Sequence, residues 1–193
     1  MISERRSWQQ RIAEILCQRQ REVITGKGYN PSAVLVPVHE KTGGYYIVLT
    51  RRSDDLMYHK GQISFPGGAY CEEDKDLEAT ALREAYEEIG ICAEDVEILG
   101  KLDDQATLSS NFAVTPFVGA IPCSYSFVIN RREVKELIEA PVTLLMDPTR
   151  FSTHVVDSAG TLQAWGCYRL GDYNITGVTA RILKQFVDLV FST

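Results

Sequence analysis

At 193 residues and 45% hydrophobic content the chain has enough material for one domain with a sizeable core, and two full domains would be cramped. Its 20 basic and 26 acidic residues give a net charge of −6, which excludes general binding to a nucleic-acid backbone and leaves any anionic ligand to a local patch. Five scattered cysteines without a C-x-x-C pair argue against a disulfide framework or a zinc ribbon, and the absence of a signal-like apolar core or a membrane-length apolar run makes a cytoplasmic protein the expectation.

From Trp8 to Val23, Ile12, Ile15, Leu16 and Val23 recur among charged residues, which predicts an amphipathic N-terminal helix ending near Gly26 and Gly28. The runs 33–38 and 45–50 are β-branched and aromatic around the turn Lys41-Thr42-Gly43-Gly44, which predicts a hairpin; Pro37 suggests an edge or a bulge. A Gly- and Pro-containing stretch from Gly61 to Gly68 precedes the strongest helical pattern, with Leu82, Ala85, Tyr86 and Ile89 at apolar spacing and Gly90 as the stop. Strands are predicted at 96–100 and 114–121, a short helix starting within 133–138, and a C-terminal helix over 178–191 that packs on the sheet. The sum is α+β, with residues 1–28 as helix and lead-in and 29–193 as a single domain.

At about 100° per residue, Glu84, Glu87 and Glu88 share one helical face, and Leu82, Ala85, Tyr86 and Ile89 lie roughly opposite, so the acids are expected to project together away from the core. Like charges at this spacing repel by about a few tenths of a kcal/mol per pair, a cost that a hard divalent cation would turn into binding energy. Oxygen ligands without histidine or thiolate suit Mg²⁺ or Mn²⁺ rather than Zn²⁺. An acidic cluster alone is most often a solvated face. Here Phe65-Pro66-Gly67-Gly68 lies just upstream, and paired glycines permit the close backbone approach that a phosphate- and metal-binding loop needs.

Glycine loop, spacer and acidic helix together resemble the Nudix box, G-x5-E-x7-R-E-U-x-E-E-x-G-U with U aliphatic. Arg83-Glu84-Ala85-Tyr86-Glu87-Glu88-Ile89-Gly90-Ile91 matches its second half; the first half is one residue longer, and its acid is Asp74 rather than glutamate. That lengthening resembles the coenzyme A pyrophosphatase branch, whose upstream signature is matched by Leu49-Thr50-Arg51-Arg52-Ser53, Gly61 and Phe65-Pro66-Gly67-Gly68, with Met57 standing where the signature has arginine. Segments 112–119, Glu133-Val134 with Pro141, and 177–183 look like the same branch, so the resemblance covers about residues 32 to 184.

The resemblance implies a Nudix α/β/α sandwich, with a mixed β-sheet between helices, and an enzyme that cuts a diphosphate bond. In it Glu84, Glu87 and Glu88 would bind Mg²⁺ or Mn²⁺, and Arg83 would orient a glutamate through a charge-assisted hydrogen bond. Arg51, Arg52 and Lys60 put positive charge beside Gly67 and Gly68 and are expected to bind substrate; His59 shares that segment with its role open. A proton acceptor from a later loop is open among Asp103, Asp104 and Glu133. The leading expectation is hydrolysis of coenzyme A or acyl-coenzyme A to adenosine 3′,5′-bisphosphate and (acyl-)4′-phosphopantetheine. Hydrolysis of ADP-ribose, dinucleotides or another nucleoside diphosphate derivative stands beside it, motivated by Met57, and a non-catalytic nucleotide-sensing module is the alternative of another class. No nucleic-acid or membrane partner is expected, and the oligomeric state, a homodimer included, stays open.

Overall fold

The computed structural model describes residues 7–26, 28–41, 43–55, 60–107, 110–158 and 161–191, the side chains of 154–165 excepted. Helix α1, Trp8–Cys17, opens on a capping box in which the Ser7 side chain accepts from Gln10 N–H and the Gln10 side chain accepts from Ser7 N–H. It stops at Cys17 rather than running through Val23 to an end near Gly26 and Gly28. Ile12 and Leu16 are its buried residues, and nothing apolar from Gln18 to Glu22 prolongs the stripe.

Strands β1 (Asn30–Lys41) and β2 (Gly44–Arg52) form the expected hairpin, in register from Val38↔Ile47 to Lys41↔Gly44. They are followed by β3 (Ile63–Ser64), β4 (Gly67–Ala69), α2 (Leu77–Ile89), β5 (Glu97–Lys101), β6 (Gln105–Ala106), β7 (Phe112–Ala120) and β8 (Val134–Pro141). These eight strands make one mixed sheet, its spine ordered β3-β2-β1-β7-β5, with β4 on β1, β6 on β7 and β8 on β2. β1 and β7 run parallel from Asn30↔Phe112 to Val38↔Ala120, and the other pairs are antiparallel. β1 is therefore interior. Pro37 marks neither an edge nor a bulge: it falls where the flank of β1 changes partner, after Ser32–Val34 pair with β4 and before Val38 pairs with β2, so the donor it lacks has no ladder to serve.

Residues 133–138 do not start a helix. Val134, Ile138 and Ala140 are buried along β8, which pairs with β2 from Arg52↔Val134 to Tyr46↔Pro141, so sheet pairing overrides the local preference. After α3 (Val142–Leu145), a second, antiparallel sheet of β9 (Phe151–Ser158), β10 (Thr161–Leu170) and β11 (Tyr173–Thr176) leads into α4, Gly177–Phe191.

The strands alternate their side chains between two cores. Ala33, Leu35, Val48 and Phe117 pack with Ala81, Ala85 and Ile89 of α2 on one face. Val36, Val38, Ile47, Leu49 and Val118 join Ile12 and Leu16 of α1 and Ile182, Leu183 and Phe186 of α4 on the other. This is an α/β/α sandwich. Its α2 layer carries the acids, and its α1–α4 layer closes the opposite face.

Candidate active site

The glycine loop is placed by β4, whose Gly67 and Gly68 lie opposite Val34 and Ala33 of β1. A Cβ on Gly67 would stand 2.4 Å from the Ala33 carbonyl oxygen, so only glycine lets the loop lie this close to the central strand. A Cβ on Gly68 would stand 2.4 Å from Glu84 Oε1 and 2.5 Å from its carboxyl carbon. The space a side chain would occupy there holds the Glu84 carboxylate.

α2 brings that carboxylate in. Asp76 caps the helix by accepting from Ala79 N–H at 2.9 Å, and Gly90 ends it at φ 71°, in the left-handed region. Arg83 is the hub: its Nε and Nη2 donate to the two Asp74 oxygens at 2.8 and 3.0 Å, and its Nη1 donates to Glu84 Oε1 at 2.8 Å and Glu87 Oε2 at 3.2 Å. Nη2 also reaches the Ala69 carbonyl at 3.2 Å, tying helix to loop. The guanidinium beside Asp74 holds that buried carboxyl well below the usual carboxylate range, and Arg83 is pushed up in return. Asp74, read from the sequence only as a departure, is thus the main anchor of Arg83.

Glu88 breaks the expected geometry. It is 3% exposed, on the buried side of α2 beside Ala81, Ala85 and Ile89, whereas Tyr86, expected in the core, is 60% exposed. The three acids do not all face solvent, because the core stripe winds through position 88 rather than position 86. Burial pushes the Glu88 carboxyl up to about 8, with the Arg52 cation opposing and Glu84, Glu133 and Glu87 adding to the rise. Arg52 Nη1 comes no nearer than 3.9 Å to Glu88 Oε1, and Glu88 Oε2 and Arg52 Nε are buried without a hydrogen-bond partner among the described residues. Glu84 is raised as well, by burial first, with Arg83 opposing and Glu87 and Glu133 reinforcing.

Among the described residues no three His, Cys, Asp or Glu side chains already converge as metal ligands would. Arg83 draws Glu84 and Glu87 to itself, and Glu88 stands apart toward Arg52. The donor set still fits a hard divalent cation: it is all oxygen, Glu88 has a buried orphan oxygen, and both Glu84 and Glu88 meet repulsion that a cation would relieve.

Beside the loop lies a cavity of about 650 Å³, whose walls include Arg52, Lys60, Gly67, Phe65, Phe112 and Arg181 and, among the described residues, no aspartate or glutamate. In a chain of net charge −6 this is the local basic patch that an anionic ligand needs. Of the basic residues predicted beside the loop, Arg52 and Lys60 line this cavity. Arg51 does not line this cavity: its Nη1 is bound to Glu136 Oε1 at 2.9 Å, beside an adjoining pocket that it shares with Tyr173 and that has Gly61, Ile63 and Asn174 in common with the first. Met57 and His59 lie outside the described residues.

Of the three later acids, only Glu133 bears on the glutamates. Asp103 accepts from Arg19, Gln185 and the Glu22 N–H, and Asp104 accepts from Arg21 Nη1 at 2.7 Å, Thr115 Oγ1 at 2.7 Å and Ile24 N–H at 3.0 Å. Both fasten the segment after α1. Glu133 accepts from Asn130 Nδ2 at 3.1 Å and repels both Glu84 and Glu88. Arg181, which lines the same cavity, is not among the residues the sequence singled out; the signal available is its place in the segment 177–183.

The glycine loop, packed on a central strand, thus joins an arginine-held acidic helix to a cation-lined cavity, and comparisons with known proteins give the class of protein that carries it. Residues 29–150 match the NUDIX domain family. Over 162 residues, 82% of this chain and 79% of the relative, the sequence is 36% identical to the uncharacterized Nudix hydrolase NudL of Yersinia pestis (strain Pestoides F). Among solved structures, a NUDIX hydrolase from Alicyclobacillus acidocaldarius aligns at TM-score 0.57 and 17% identity over 84% of this chain and 93% of that one. An Ap4A hydrolase of C. elegans aligns at 0.50 and 18% over 59% and 81%. These two likenesses establish the fold. The chain belongs to the Nudix hydrolase family and is an enzyme of the pyrophosphohydrolase kind.

Proposed function

We propose that this site cuts the diphosphate linkage of a nucleoside diphosphate derivative, with Glu84, Glu87 and Glu88 holding Mg²⁺ or Mn²⁺. The observation that carries this is the α2 acid pair, in which Glu84 fills the space beside Gly68 of a glycine loop that borders a cation-lined cavity and buried Glu88 keeps an orphan oxygen. A divalent ion, when bound, neutralises diphosphate charge and lowers the pKa of a water. The chain's own residues do the rest. Arg83 fixes Glu84 and Glu87 against the loop, Gly67 and Gly68 bring backbone close to the phosphates, and Arg52 and Lys60 attract the anion. Glu133, facing the same acids, is placed to take a proton from the attacking water.

Two substrate classes are supported by different observations. Coenzyme A is supported by the match of Leu49 to Ser53, Gly61 and Phe65 to Gly68 to the branch signature, together with the basic cavity those residues border. ADP-ribose and dinucleotides are supported by Met57 in place of the signature arginine, and dinucleotides also by the fold shared with an Ap4A hydrolase of C. elegans. Chromatography of products after incubation with Mg²⁺ and coenzyme A, ADP-ribose, NADH or a diadenosine polyphosphate separates them. Release of adenosine 3′,5′-bisphosphate, lost in Glu88→Gln, establishes the first class; cleavage confined to the others establishes the second; cleavage of none overturns the proposal.

A further inference from the structure

The cavity has a charged residue that the diphosphate chemistry does not use. Arg181, one turn into α4, lines it together with Asn174, Thr176 and Thr179 from the β11–α4 wall. Its Nε donates to Gln105 Oε1 at 3.0 Å and its Nη2 to the Ala106 carbonyl at 2.5 Å. Both acceptors are uncharged and belong to β6. Among the described residues no carboxylate pairs with Arg181, and its pKa is lowered by burial alone. Arg52, by contrast, has Glu88 as its neighbouring acid.

A half-buried guanidinium without a counter-ion is costly to keep unless a ligand supplies the charge. Gln105 and Ala106 hold one edge of the fork in place, through Nε and Nη2. A rigid, planar donor fork with hydroxyls and an amide nearby, Thr176, Ser110 and Asn174, suits the tetrahedral oxygens of a phosphate. The cavity is within the size range of small-molecule sites of roughly 300–1,000 Å³, so a nucleoside can bridge its walls.

We propose that Arg181 is a specificity-determining residue that receives a phosphate monoester carried on the nucleoside of the substrate, apart from the diphosphate that is cut. It deepens the diphosphatase reading and rests on it for the kinetic arm alone. The first measurement is calorimetric binding of adenosine 3′,5′-bisphosphate, adenosine 2′,5′-bisphosphate and AMP to the full chain without added metal. Wild type is expected to bind one bisphosphate at least tenfold more tightly than AMP, Arg181→Gln to erase that preference, and Arg181→Lys to keep part of it. The second is kcat/KM for coenzyme A against its 3′-dephospho form and for NADPH against NADH. Arg181→Gln should raise KM for the phosphorylated member of a pair and leave the other unchanged; the affected pair tells a 3′ from a 2′ phosphate. Absence of any preference in wild type overturns the proposal. So does an equal loss on both members in Arg181→Gln, which marks a purely structural hold on β6. Should Arg181→Gln fail to fold, the wild-type preference and the Arg181→Lys variant decide. Preferential binding without turnover would retain Arg181 as the phosphate residue and remove the diphosphatase reading.

Discussion

Asp103 and Asp104, between β5 and β6, are surrounded by donors: two arginines, a glutamine, a threonine and two backbone N–H groups close on their four oxygens. Glu84, Glu87 and Glu88 on α2 share one arginine and one distant one, and an oxygen of Glu88 is buried with no partner among the described residues. Both clusters set acids beside arginines in the same molecule. The first is saturated and fastens chain to chain; the second is left short of positive charge, and that shortage is what a cation or a substrate can fill. A saturated cluster contributes stability, whereas an unsaturated one trades stability for a ligand.

The sharpest way to break this contrast is Glu88→Gln, which removes a buried ionisable carboxyl with little change of shape. Turnover should fall on the order of 10²- to 10³-fold, the scale seen when one charged or dipolar stabiliser of a transition state is lost, while the melting temperature holds or rises. A parallel fall in both would place Glu88 with the structural acids. Asp104→Ala should do the opposite, costing about 3 kcal/mol in urea unfolding because Arg21 and Thr115 lose a buried acceptor. Turnover per folded molecule should stay within about twofold of wild type.

Gly68→Ala probes the boundary between the clusters. Its new methyl competes with the Glu84 carboxylate for one space, and a misplacement of about 1 Å costs roughly 10²-fold in rate, so activity should drop by about that factor with unfolding unchanged. The smallest effect is expected in acid. The Asp74 carboxyl is held below its ordinary pKa by Arg83, so its contribution to stability is whole above about pH 4 and is lost as pH falls through its lowered folded value. Unfolding midpoints from pH 5 to pH 2 should fall less steeply in Asp74→Asn than in wild type.

Much of this site could be read in the sequence because it is local. The acids of α2, Arg83 and Gly90 lie within one helix, Gly67 and Gly68 lie one short loop upstream, and the first hairpin is joined by a turn. The C-terminal helix was equally plain, with Ile182, Leu183, Phe186 and Val190 at helical spacing and all buried. The failures came where a distant partner decided. Residues 134–141 became a strand because β2 offered them an edge, and the end of α1 came early because Arg19 and Arg21 are claimed by Asp103 and Asp104. The second sheet, β9 to β11, passed unread.

By itself the sequence determined the chemistry: an acidic helix behind a glycine loop, in a pattern shared with a hydrolase family, because spacing of a few residues along a helix or turn needs no knowledge of the rest of the chain. Only the tertiary structure decided which of those groups is poised. The α2 core stripe buried Glu88 and exposed Tyr86, β2 placed Arg52 at the cavity and Arg51 on Glu136, and the packing of α4 brought Arg181 into the same cavity as Gly67. Burial and sheet order set those outcomes, and both depend on residues far apart in the chain.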